Sequence, residues 1–142
     1  MSSTRTGLSL IKYYEQCRLT AYQDAVGIWT IGWGDTSNVH PGMTISQREA
    51  DARLLAKYDD FEHFILVTVS VPLNDNQLGA LVCFTYNVGK GAFQSSTLLK
   101  KINSHDPTAV NEFSKWNKAG GQILPGLVKR RTSEAKLFST PT

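Results

Sequence analysis

A chain of 142 residues and 15.7 kDa, 41% hydrophobic and 19% charged, is the size of one compact globular domain. It can bury roughly two thirds of its unfolded surface, so a core without metal or disulfide support is expected. The net charge of +3 is unevenly spread, with six Lys/Arg against eight Asp/Glu in residues 1–70 and nine against four in residues 71–142; a basic half suits an anionic polymer and equally suits a solvated face with no partner.

No apolar run approaches a membrane span, and the opening "MSSTRTGLSLIKYY" lacks the unbroken apolar stretch of a secretory signal. No export route or stable membrane anchor of the chain's own is therefore expected. Cys17 and Cys83 fall in different amphipathic segments and share no metal-type spacing with His40, His63 or His105. Two buried free thiols are expected, in keeping with a reducing cytosol, and no metal or cofactor.

In chain order, Leu8, Leu10, Ile11, Tyr14 and Cys17 follow helical spacing, which predicts a short helix from Gly7 to about Arg18 with Glu15 in its last turn. From Leu19 to Asp35 short β-branched and aromatic runs are broken by Gly27, Gly32 and Gly34, the pattern of a small antiparallel hairpin. "HPGMT" closes the sheet, and Ser46 to Glu49 has the order of a capping box. A long helix follows, its stripe formed by Ala50, Leu54, Leu55, Tyr58, Phe61 and Ile65, and "VTVSVPLN" ends it.

The next helix starts near Asn74 or Asp75 and stops at Gly89. "TLLKKINS" reads as helix. Asp106 and Pro107 have the order of an N-cap followed by a first-turn proline, so "TAVNEFSKWNKAG" is expected to be a helix ended by glycine, and "LVKRRTSEAKLF" gives the last one. The predicted architecture is α+β, with a small N-terminal antiparallel sheet, a long connecting helix and a mostly helical C-terminal lobe.

A helix end followed by a hairpin can place Glu15 and Asp24 on opposite walls of a cleft. Paired carboxylates so placed are what glycosidic bond cleavage uses: one protonates the leaving oxygen, and the other steers water onto the sugar carbon or attacks it. Two carboxyl groups take these different jobs only where their environments differ. Apolar neighbours make Glu15 the candidate acid, and a polar turn makes Asp24 the candidate base. Thr30, on the returning strand, can share a water with Asp24. Capping alone also accounts for a Glu at a helix end and an Asp before a glycine turn.

The whole string resembles the phage-type lysozymes, the endolysins of glycoside hydrolase family 24, whose signature runs E, two or three residues, L-x-A-Y-x-D, a glycine turn, then T-I-G-x-G-x-T. Here the matching residues are Glu15, Leu19, Ala21, Tyr22, Asp24, Thr30, Ile31, Gly32, Gly34 and Thr36, with three residues between Glu15 and Leu19. The likeness continues through "PGMTIS", "VPLNDNQLGALVCFTYNVG" and "PGLVKRRTSEAKLF" and covers nearly the whole chain. It implies one lysozyme-like catalytic domain over residues 1–142 with two lobes and a cleft between them. It also implies cleavage of peptidoglycan between N-acetylmuramic acid and N-acetylglucosamine by Glu15, Asp24 and Thr30, without metal and with inversion. Synthesis in a host cytoplasm, access to the wall through a separately encoded holin, and a monomer are further expectations. Thr36, Tyr86 and Asn87 are the candidate substrate contacts, with core packing and a helix cap as the other readings of Tyr86 and Asn87.

Two positions depart from the family pattern. Gln16 stands where glycine is usual after the acid, and Asp35 where histidine is usual. Glycine eases a tight backbone at the helix end. Asp35 adds a negative charge near the sheet and is expected to be a structural partner. Trp29 and Trp33 are expected to cover a lobe, and Trp116 to join the core. Lys129, Arg130 and Arg131 could meet an anionic wall or lipid phosphate, or pair with Glu134, with at least one arginine bracing the cleft. Nucleic acid is disfavoured because no binding motif accompanies the basic residues. A lytic transglycosylase, a non-catalytic wall-binding or phage structural module, and a chitinase-like enzyme are the rival readings.

Overall fold

The computed structural model describes residues 4–142. Helix α1 spans Leu8–Glu15, so the predicted helix stops three residues early and Glu15 is its final residue. The cause is Gln16, whose φ of 56° lies in the left-handed region, with its N–H still bonded to the Lys12 carbonyl. Glycine takes that conformation without cost, whereas another L-residue is strained by about 1–2 kcal/mol. The chain then turns directly into β1 (Arg18–Gln23), which pairs antiparallel with β2 (Trp29–Gly32). "HPGMT" does close this sheet: Thr44 bridges Thr20, and the Ala21 N–H reaches the Met43 carbonyl at 2.8 Å.

Helix α2 (Gln47–Thr68) starts at Ser46, whose hydroxyl accepts from the Glu49 N–H at 3.1 Å. Only that half of the predicted capping box forms there. The complete reciprocal box is at Asn74 and Gln77, opening α3 (Asp75–Val88), which ends at Gly89 with φ of 97°. Short helices α4 (Lys90–Gln94) and α5 (Thr97–Asn103) follow.

The segment expected as an α-helix after Asp106 is a 3-10 helix, Pro107–Lys115, although Asp106 caps it as expected through the Thr108 N–H. Its end also differs from expectation. The chain leaves the helix at Trp116 and forms a second hairpin, β3 (Lys118–Ala119) with β4 (Gln122–Ile123). Gly120 and Gly121 both take positive φ, as a two-residue hairpin turn requires. Helix α6 is Pro125–Phe138, entered through a first-turn proline.

The core is one cluster in the helical part of the molecule. Phe84 of α3 is its hub, in edge-on contact with Phe93, Phe113 and Trp116 at 6.4, 5.5 and 5.5 Å, geometries that suit the ring quadrupoles. Trp116 thus packs on the core as expected. Arg130 and Arg131 turn inward from α6 onto the fully buried Glu134, and the Arg131 guanidinium stacks on Phe84 at 4.9 Å. Burying three charges is tolerable because both arginines pair with Glu134 and Arg130 also bonds the Cys83 carbonyl, although Arg131 Nη1 has no hydrogen-bond partner among the described residues.

Helix α1 is fastened to this helical mass. A Cβ at Gly7 would overlap the Gly79 carbonyl, so the two backbones touch, and the Gly7 N–H donates to the buried Tyr58 hydroxyl at 3.1 Å. At the other end the Tyr14 hydroxyl donates to the Lys129 carbonyl at 3.0 Å and lies 2.6 Å from Ser133 Oγ. Both thiols are free; Cys17 is half-buried rather than buried, and burial pushes the Cys83 thiol well up.

Candidate active site

A cleft of about 400 Å3 lies between the first hairpin and the helical lobe. Glu15, Asp24, Thr30, Thr36, Tyr86 and Asn87 all line it. Glu15 enters from the end of α1, Asp24 and Thr30 from the hairpin, and Tyr86 and Asn87 from the last turn of α3. Residues as far apart in sequence as Glu15 and Asn87 therefore share one wall.

The surroundings of Glu15 correct the expectation of apolar neighbours. Arg130 Nη1 donates to Glu15 Oε2 at 2.7 Å, and the arginine is itself 4% exposed. Arg130 is held in place by the Cys83 carbonyl at 3.0 Å and by Glu134 at 3.3 Å. One arginine therefore braces the cleft, as expected. The other carboxylate oxygen, Oε1, lies over Gly34. A Cβ there would overlap Oε1, and Gly34 also has a φ of 78°, so the glycine is required twice over. Gly34→Ala is expected to cost about 2–3 kcal/mol, from left-handed strain plus displacement of the Glu15 carboxyl, and to cut activity roughly tenfold or more. Urea melts and an initial-rate assay on cell walls check both parts.

Asp24 anchors its own hairpin. Oδ1 accepts from the Val26 and Ile28 N–H groups, each at 2.9 Å, which folds residues 24–28 into a turn. Thr30 is 4% exposed and donates its hydroxyl proton to the Ile28 carbonyl at 2.9 Å. With the proton committed, the hydroxyl oxygen offers lone pairs to the cleft. Tyr86 lies under the cleft and donates to the Trp33 carbonyl at 2.7 Å. Its phenol is pushed up, first by burial and then by the Glu15 and Asp35 charges, so it stays a neutral donor. Trp33 itself faces away, its indole N–H on Asp51 at 2.8 Å, and covers the lobe as expected; Trp29 is half-buried outside the cleft.

Asp35 is a structural partner. It is 6% exposed and accepts from the Ser37 N–H at 2.9 Å, Lys57 at 3.0 Å and Arg53 at 3.2 Å. Burial alone would push its carboxyl up, but these three donors outweigh it and hold the group below the ordinary aspartate value of 3.8. A depressed folded value means stabilisation that is complete above 3.8 and lost as pH falls through the lower folded value. Asp35→Asn is expected to lose about 2 kcal/mol at neutral pH and far less wall-lysing activity than Glu15→Gln loses. The stability gap to the parent protein should be full at neutral pH and close as pH falls below the ordinary aspartate value of 3.8, measured by denaturant melts down the acid limb.

Sequence reasoning missed Lys57, Phe61 and Tyr22 in the cleft wall. Lys57 and Phe61 belong to a helix whose apolar stripe reads only as core. Phe61 falls in that stripe, and Tyr22 stands out in the sequence only as part of the family string. Among the described residues no group of histidine, cysteine and acidic side chains could hold a metal ion, and no helix is long and apolar enough to cross a membrane.

A small antiparallel sheet set against a helical lobe, with an acid at the end of the first helix and a carboxylate and hydroxyl on the hairpin opposite, defines a lysozyme-like hydrolase. The phage lysozyme family model matches residues 12–134. An endolysin of Acyrthosiphon pisum secondary endosymbiont phage 1 is 42% identical over 99% of both chains. An endolysin of Bacillus phage B103 is also 42% identical over 99% of this chain, which spans 55% of that longer protein. The muramidase domain of SpmX from Asticaccaulis excentricus superposes with a TM-score of 0.88 at 35% identity, covering 99% of both chains. The chain belongs to the phage lysozyme family, and with it to the lysozyme hydrolases that act on peptidoglycan.

Proposed function

We propose that residues 1–142 work as one catalytic unit that hydrolyses the β-1,4 bond between N-acetylmuramic acid and N-acetylglucosamine, with Glu15 as acid and Asp24 and Thr30 holding the attacking water. The observation that carries this is the convergence of Glu15, Asp24 and Thr30 on one cleft, each with one polar function committed to the protein and another left for substrate. Arg130 occupies Glu15 Oε2, so the proton travels on Oε1, which lies over Gly34 where no side chain crowds it. Glu15 gives that proton to the leaving oxygen. Water attacks the anomeric carbon from the far side and passes its own proton to Asp24, while Thr30 accepts the water's second hydrogen. The sum is addition of one water across the bond with inversion, a course that needs roughly 6.5–9.5 Å between the two carboxyl groups to admit the water. Thr36, Tyr86 and Asn87 are assigned to hold the sugars, with the Asn87 amide suited to an acetamido group.

The reading extends to a monomer made in a host cytoplasm that reaches the wall through a holin and lyses the host, without metal or cofactor. The experiment is digestion of purified peptidoglycan with the new ends identified by mass spectrometry and the first-formed anomer by NMR. Reducing N-acetylmuramic acid ends carrying one added water are expected. Anhydro ends would make the enzyme a transglycosylase; no new ends would leave a binding module.

A further inference from the structure

The strongest feature that the proposed reaction leaves unused is a cation in the cleft wall. Lys57, on α2, lines the same cavity as Glu15, Asp24, Thr36 and Phe61. Its ammonium is fixed from behind by Asp35 Oδ1 at 3.0 Å and lies 6.0 Å from the centre of the Tyr86 ring. The side chain is 27% exposed while its carboxylate partner is 9% exposed. A lysine has three N–H donors, and Asp35 takes one. Asp35 is also shared: Arg53 bonds its other oxygen at 3.2 Å, so one buried negative charge serves two cations. Glu49 relieves Arg53 only loosely, at 3.8 Å. Of these four charged groups only Lys57 lines the cleft, so the charge presented there is a cation.

Asp24, the proposed base, brings a negative charge into the cleft that no cation among the described residues neutralises there, so a substrate that carries a carboxylate near the scissile bond gains from a fixed cation on the wall. We propose that Lys57, pinned by Asp35, is a specificity residue that binds a carboxylate projecting from the glycan strand. This rests on the peptidoglycan reading above. The carboxylate has two possible sources, the lactyl arm of N-acetylmuramic acid when bare, or the peptide attached to it. A neutral polymer of N-acetylglucosamine offers neither, so Lys57 separates wall glycan from chitin-like chains.

The test compares peptide-free and peptide-bearing glycans, each with its carboxylates free or capped as methylamides. Capping is expected to lower kcat/KM of the wild-type protein about tenfold, mainly through KM, on the glycan whose carboxylate Lys57 meets, the size of one charge-assisted hydrogen bond at a partly exposed site. Lys57→Met should show the same tenfold loss on the free form and no response to capping, and Lys57→Arg should restore the preference. Whichever arm responds identifies the source. Equal losses on free and capped forms in both arms, or no loss in either, would overturn the assignment. Titration calorimetry of free against capped glycan with Glu15→Gln gives the same ratio without a Lys57 variant or turnover; equal affinities in both arms sink the proposal. Absence of N-acetylmuramic acid ends from any glycan would instead remove the hydrolase reading and leave the calorimetric comparison standing.

Discussion

Glu15→Gln is expected to lower wall-lysing activity at least 1,000-fold, the order seen when a positioned acid is removed and only binding remains. An amide cannot deliver a proton to the leaving oxygen, and no other carboxyl in the cleft lies beside Arg130 to replace it. The variant should stay folded. Arg130 keeps the Cys83 carbonyl and Glu134, and glutamine Oε1 can still accept from Nη1, so the cost is about 1–2 kcal/mol from weakening one charge-assisted bond. Turbidity clearing, together with a thermal melt that stays cooperative, checks both halves. Activity within tenfold of the parent would remove Glu15 from the acid role.

Asp24→Asn separates the two jobs of that residue. The Asp24 Oδ1 that bonds the Val26 and Ile28 N–H groups is an acceptor only, and asparagine supplies the same acceptor while placing its NH2 toward the cleft. The hairpin turn therefore survives. Under the proposed mechanism what disappears is the anion that takes the proton of the attacking water, and the expected loss is roughly 100- to 1,000-fold in kcat with little change in KM. Hydrogen exchange at the Val26 and Ile28 amides should stay as slow as in the parent. Full activity would reassign the water to Thr30 alone. An exchange rate raised at those amides would mean that the turn, rather than the charge, had been removed.

Much of this was legible before any coordinates, for physical reasons that can be named. The hairpin between Asp24 and Gly27 announces itself through an aspartate that bonds its own turn and a glycine at φ 89°. Asp106 and Pro107 announce a helix start because a carboxylate acceptor precedes a residue with no N–H. The cap identifies the start without fixing the helix type, which is why Pro107–Lys115 proved to be a 3-10 helix. The second hairpin escaped because its strands are two exposed residues each, too short for alternation, although the Gly120–Gly121 pair is itself a turn signal. The six named cleft residues did come together, because the family string fixes both sides of the gap. The environment of Glu15 was misread for a different reason. Its partner, Arg130, lies 115 positions along the chain, and neighbours in sequence say nothing about a cation that arrives from the last helix.

The contact between Gly7 and Gly79 has a consequence for how the acid and the base are mounted. Glu15 rides on a helix seated backbone to backbone against α3, so the acid, Tyr86 and Asn87 form one rigid jaw. Asp24 sits at the outer tip of the opposing jaw, whose inner end is tied to the first by the Trp33 carbonyl and the packing of Gly34 on Glu15. Any rocking of the sheet about that inner end would leave Glu15 aligned with Tyr86 and Asn87 and change mainly one length, the gap across to Asp24. Side chains that bulge between Gly7 and Gly79 would transfer that looseness to the acid itself, turning a hinge with one adjustable spacing into two halves without a common datum.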